Sequence, residues 1–184
     1  MRKLIYAINM SLDGCCDHTV FTPCEEMYDY HTQLLRDAGL LVYGRKTYEL
    51  MVPYWPDIAK NPSGDKSENE FAKVFDGIDR LVFSHTLKGS EDPKTRIVHT
   101  SAADEIQRLK KEPGKDMLIG GVSLPSQFMK LGLIDEYHFV YLPVVAGAGT
   151  RLLAGVDLAE QFQLRLVGSK IFKSGVVALH FVKH

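Results

Sequence analysis

Two short segments of this 184-residue chain combine the residue types that hold phosphate: Gly44-Arg45-Lys46-Thr47 and Gly120-Gly121-Val122-Ser123. Each follows a short apolar run and leads into a helical pattern. Glycine lets the backbone turn sharply, a helix start offers unpaired N–H groups, and Arg45 and Lys46 add two cations. The first turn suits a phosphate; the second suits another anion or a pyrophosphate. A plain tight turn with solvated cations is the competing reading of either one alone. Neither is a familiar nucleotide signature: no G-x-x-x-x-G-K-[ST] occurs, and no G-x-G-x-x-G follows a strand.

Asp13 follows the first apolar run, where a carboxylate either faces a ligand or bonds nearby backbone N–H groups in a turn. Glu25 and Glu26 stand in a first helical turn, where the dipole favours them regardless of function. Ala146-Gly147-Ala148-Gly149 precedes no strong helix pattern and reads as a loop. The seven histidines show no H-E-x-x-H and no metal-ligand spacing with the cysteines, so no metal is expected. Cys15 and Cys16 are adjacent, Cys24 is close by, and an odd count argues against a disulfide framework.

Positioning these groups requires a framework, and the pattern supplies one. Apolar runs at 3–9, 40–43, 81–83, 96–98 and 117–119 predict short buried strands. Helices are predicted over 23–38, with a capping box at Thr22-Pro23-Cys24-Glu25, and over 102–111 and 123–131, the last capped by Ser123 and burying Leu124, Phe128 and Leu131. A short helix near 47–52 precedes the breaker-rich stretch Pro53–Gly64, and the loop 57–68 is the expected disordered element. Ser67-x-x-Glu70 reads as a second capping box. Residues 137–142 and 162–167 alternate, and 169–173 joins 176–182 across a turn. The order predicts a single three-layer α/β domain spanning 1–184, with a mostly parallel sheet and antiparallel C-terminal edge strands.

With 22 Lys+Arg against 23 Asp+Glu, the net charge of −1 gives no electrostatic reason to expect nucleic acid or a membrane surface as partner. No apolar run approaches the ~18 residues of a membrane span, and the N-terminus lacks a signal-peptide pattern. The expectation is a reduced, cytoplasmic protein.

Ser11-Leu12-Asp13-Gly14, Gly44-Arg45-Lys46-Thr47, Ser84, Ile119-Gly120-Gly121 and Leu133-Ile134-Asp135-Glu136 occur in an order that resembles the dihydrofolate reductase-like superfamily. The resemblance is greatest to the reductase domain of the bifunctional riboflavin-biosynthesis deaminase/reductase and its stand-alone bacterial relatives. Tyr141-Leu142-Pro143-Val144-Val145-Ala146-Gly147 is similar to that group's strand and loop after the Asp-Glu pair, and the likeness covers essentially the whole chain. It implies an NADP(H)-dependent reductase. Arg45, Lys46 and Thr47, with Gly44, contact the cofactor's phosphates; Ser84 and His85 lie by the adenosine. Gly120, Gly121, Val122, Ser123 and Leu124 carry the pyrophosphate, with a cis peptide at Gly120–Gly121. Leu12, Asp13 and Gly14 approach nicotinamide and substrate, which makes Asp13 the candidate catalytic residue.

The sequence departs from the riboflavin-pathway pattern at three polar positions. Ala7 stands for a strand lysine, Met51-Val52-Pro53-Tyr54-Trp55 for an Asp-Asn-Pro-type segment, and Ile119 for a glutamate. The expected acceptor is therefore a small heterocycle, pteridine- or pyrimidine-like, and not a named metabolite. Asp13, Glu25, Glu26 and water all stay open as proton source. A nucleotide-binding protein with little or no catalysis is the alternative. A homodimer is expected to cover part of the long alternating strands.

Overall fold

The computed structural model describes residues 1–62, 65–158 and 160–184. The apolar runs become strands β1 Leu4–Ser11, β2 Ala38–Gly44, β3 Arg80–Phe83, β4 Thr95–Val98, β5 Asp116–Ile119 and β6 Glu136–Leu142. A C-terminal hairpin adds β7 Leu164–Ile171 and β8 Val177–Lys183. Five α-helices connect them: α1 Glu25–Asp37, α2 Arg45–Lys60, α3 Lys66–Asp76, α4 Ala102–Lys111 and α5 Ser123–Lys130.

The strands form one eight-stranded sheet in the order β4-β3-β2-β5-β1-β6-β8-β7. β4 through β6 in that order are parallel, and β8 and β7 are antiparallel. Side chains alternate between two packed faces. Leu41, Tyr43 and Val82 meet Leu35, Val52, Phe71 and Phe75 of α1 to α3 on one face. Tyr6, Val42, Met117 and Ile119 meet Ile106, Leu109 and Phe128 of α4 and α5 on the other. Met27 of α1 packs with Val140, Leu142 and Ala178 over the antiparallel end. The three-layer domain with a mostly parallel sheet and antiparallel edge strands is thus observed.

The local differences have physical causes. α2 continues to Lys60 through Pro53 and Pro56. An internal proline costs about 3 kcal/mol, but Met51, Val52 and Trp55 pack against the core under α3. Burial of that face outweighs the missing hydrogen bonds. Residues 57–60 and 66–68 of the expected loop are therefore helical; Ser63 and Gly64 lie outside the described residues. α1 starts two residues later than its capping box implies, with Cys24 as N-cap and no side-chain cap. α3 is capped by Asp65, whose carboxylate accepts from the Glu68 N–H, and Ser67 lies inside the helix.

Val122, not Ser123, is the N-cap of α5, and Leu131 is exposed just past its end. The two expected C-terminal segments 162–167 and 169–173 are one strand with a register shift between Leu166 and Gly168. β6 is interior, paired on both sides, so β7 alone is the exposed edge there. No helix among the described residues is long and apolar enough to cross a membrane.

Candidate functional site

All six parallel strands deliver their carboxyl ends to one edge of the sheet. In spatial order these ends are His99 after β4, Ser84 after β3, Gly44 at β2, Gly120 after β5, Ser11–Gly14 at β1 and Pro143–Gly147 after β6. The chain leaves β2 for β3 through helices on one face and leaves β5 for β6 through α5 on the other. β2 and β5 are neighbours, so the connections diverge there and open a crevice, the place where open α/β sheets bind ligands.

The two glycine turns meet where those connections diverge. Gly121 packs so closely on the Thr47 side chain that no Cβ fits between them, and Gly44 stands against Leu124. Gly121 has φ +93°, a conformation natural to glycine alone. The Gly120–Gly121 peptide is trans, as are all peptides among the described residues; the positive φ at Gly121 makes the turn that the resemblance assigned to a cis bond. The Tyr6 hydroxyl donates to the Gly121 carbonyl at 2.9 Å and anchors the turn from below.

The helix starts differ in a way that bears on ligand binding. α3 and α4 are capped by the side chains of Asp65 and Ser101, and each carries acidic residues in its first turn. α1 has Glu25 and Glu26 there. α2 and α5 have neither a side-chain cap nor an acidic residue in the first turn. Their first-turn N–H groups and positive dipole ends meet at the crevice, which favours anions. Arg45 and Lys46 are exposed at the same place. Arg45 reaches the Thr86 hydroxyl at 3.1 Å and lies 3.7 Å from Glu49.

Ser84 is buried, and its hydroxyl accepts from the N–H groups of Thr86 and Leu87 at 3.2 and 3.1 Å, so it shapes its own turn. Its carbonyl lies 2.6 Å from His99 Nδ1. His85 is exposed on the rim, as is Ser123. From β3 to β1 the edge crosses three strand spacings, ~14 Å, so these residues are spread over the length of an extended ligand.

At its far end Leu12 is 63% exposed although its backbone is fixed, the N–H donating to the Val144 carbonyl at 2.9 Å. Val145, 69% exposed, adds a second apolar side chain on that rim. Asp13 is not open to a ligand in the way its position after β1 suggests. Its carboxylate accepts from the Ser11 hydroxyl at 2.6 Å, from the N–H groups of Ala146 and Gly147 at 2.9 Å each, and from Arg151 at 3.1 Å. The Ser11 hydrogen bond first, then the Ala146 N–H, hold it well below the usual carboxylate range. Asp13 thus clamps the Ser11–Gly14 turn to the 146–151 loop, the backbone-bonding role that the sequence left beside a catalytic one. Arg151, the clamp's cation, has no signature in the sequence: it sits after a glycine-rich loop with no periodicity to mark it.

The other acidic candidates are also engaged. Glu26 accepts from the Lys173 N–H at 2.9 Å, and Glu25 from the Ser67 hydroxyl at 3.5 Å. Cys15 is buried, and burial pushes the Cys16 thiol up to about 11, which makes it a poor nucleophile.

Residues 2–178 match the model of a protein family, the RibD C-terminal domain. The uncharacterized protein YyaP of Bacillus subtilis (strain 168) is 32% identical over 97% of this chain and 93% of its own length. The crystal structure of a candidate riboflavin biosynthesis protein from Shewanella sp. PV-4 superposes with a TM-score of 0.75 at 19% identity, covering 99% of both chains. A diaminohydroxyphosphoribosylaminopyrimidine deaminase/5-amino-6-(5-phosphoribosylamino)uracil reductase from Thermotoga maritima gives a TM-score of 0.68 at 14% identity, over all of this chain and 57% of the other.

Proposed function

The chain belongs to the RibD C-terminal domain family, and from that premise we propose that it is an NADPH-dependent reductase acting on a small heterocyclic acceptor of the pteridine or pyrimidine kind. The observation that carries this reading is the pairing of two helix starts, α2 and α5, that lack caps and acidic residues and meet across adjacent strand ends. Uncapped N–H groups fit phosphates, and the exposed Arg45 and Lys46 fit the additional 2′-phosphate that separates NADPH from NADH.

When bound, the reduced nicotinamide supplies the hydride. The chain's own residues bind, orient and shield. Gly44, Thr47 and Gly120 to Leu124 form the phosphate cradle. Arg45 is steadied by Thr86. Leu12 and Val145 offer an apolar surface against which flat rings stack and from which water is displaced. Asp13 and Arg151 hold that surface in place by joining the β1 turn to the loop after β6. With Asp13 held ionised, and Glu25 and Glu26 engaged elsewhere, the proton that accompanies the hydride to the acceptor comes from solvent.

Of the three departures from the riboflavin-pathway pattern, Ile119 is fully buried in the core beneath α4 and α5 and Met51 packs under α3, so neither offers the acceptor a polar contact. The same absence favours the second reading, a nucleotide-binding protein with little catalysis. Oxidation of NADPH, followed by its absorbance in the presence of pteridine and pyrimidine acceptors, separates the two. Acceptor-dependent oxidation supports the reductase. Saturable NADPH binding without turnover across the panel supports the second reading.

A further inference from the structure

Away from the crevice, on the face of the sheet that α1 covers, three ligand-type side chains converge. Glu136 and His138 are two residues apart on β6 and so project from the same face, and His180 is the direct cross-strand partner of His138 on β8. Their ligand atoms all lie within 4.8 Å of one another. The His138 and His180 rings stack with centroids 4.1 Å apart.

We propose that Glu136, His138 and His180 form a site for one divalent transition-metal ion of the zinc or cobalt class. His180 Nε2 and Glu136 Oε2 are 2.9 Å apart, close to the separation of two ligands that each bind a metal at 2.0–2.1 Å. Two imidazoles and one carboxylate suit such ions better than magnesium or calcium. His138 is buried, and its Nδ1 lies 2.6 Å from the Tyr30 hydroxyl, which fixes the ring as outer partners of metal-binding histidines do. His180 is partly exposed, so an ion has a way in and water a free coordination position.

Without metal, Glu136 also holds Lys3 Nζ at 2.5 Å; the Lys3 side chain is 55% exposed and free to withdraw. On loading, the proton between His180 Nε2 and Glu136 Oε2 leaves that position for Nδ1 or solvent. Spacing along the chain conceals this trio, because Glu136 and His180 are 44 residues apart and only the β6–β8 register joins them.

The test is a titration of chelator-treated full-length protein with Co²⁺, followed by its visible d–d absorption, with Zn²⁺ then added as competitor. One Co²⁺ per chain is expected, displaced by Zn²⁺. His180→Ala and Glu136→Gln should each weaken binding by about tenfold or more, whereas His184→Ala should not. His180 is surface-accessible, so its variant decides the matter even if a His138 variant fails to fold. Absence of the Co²⁺ band in the wild-type protein, or an affinity unchanged in His180→Ala, overturns the site.

Discussion

A Cβ added to Gly121 would stand 2.3 Å from Thr47 Oγ1, at a residue whose φ of +93° already excludes most side chains. This contact joins the start of α2 to the start of α5 and sets the width of the crevice between β2 and β5. Gly121→Ala should destabilise the protein by about 1–3 kcal/mol through backbone strain and the clash. It should also weaken NADPH binding at least tenfold by spreading the two turns. Urea unfolding and a cofactor titration on the same sample check both effects; an unchanged affinity would detach the turn from the cofactor site.

On the proposed reading, Arg45 and Lys46 set the cofactor preference. The double variant Arg45→Ala/Lys46→Ala should lose about tenfold or more in NADPH affinity while NADH affinity changes little, since only the former carries the 2′-phosphate. Parallel titrations with the two cofactors decide; equal losses place the 2′-phosphate elsewhere.

The proposed function gives Asp13 a structural role and leaves proton transfer to solvent. Its native carboxyl is held below the usual range, so the stability it contributes is present above about pH 4, the ordinary Asp value, and is lost as pH falls through the native one. Asp13→Asn should lower the melting temperature at neutral pH and flatten the acid side of the stability profile. Its effect on turnover should be the same at every pH from 5 to 8. A kinetic pKa that disappears in the variant would restore Asp13 as a proton donor.

His31 shares with Asp13 a loss of stability in acid, but for a different reason: its charged form is excluded by burial rather than favoured by partners. It projects from α1 toward β1, with Nε2 2.8 Å from Asn9 Oδ1, and burial lowers its pKa to about 4. Between about pH 6.5 and 4 the unfolded chain binds a proton that the folded chain refuses, so stability falls as pH drops through that window and levels off below it. In His31→Gln the decline should be shallower. An equal slope in the two proteins contradicts this environment for His31.

β7 is the antiparallel edge of the sheet, and Leu166, Val167 and Ile171 are exposed on it. We propose that a second copy of the chain covers this edge. Sedimentation should give the mass of two chains at micromolar concentration; the mass of one contradicts the homodimer.

Much of the framework was legible because short apolar runs and glycine stops are local signals: α4 begins and ends where its pattern does, and Gly44 and Gly120 sit at strand ends as their neighbours imply. The full length of α2 is hidden in the sequence because Pro53 and Pro56 are strong local breakers, and only the packing of Val52 and Trp55 against distant residues outweighs them. Ser67 looked like a cap because it matched a pattern that Asp65, two residues earlier, satisfies in fact. In the site, the turns could be read but their partners could not. The Asp13–Arg151 clamp, the Arg45–Thr86 contact and the Glu136–His138–His180 trio each join residues that are brought together only by the sheet order.

The central claim is that the crevice between β2 and β5 binds NADPH, and titration of the purified protein with NADPH and with NADH, followed by nicotinamide fluorescence, tests it most directly. Saturable binding with a clear preference for NADPH is expected. Binding of neither cofactor would contradict it.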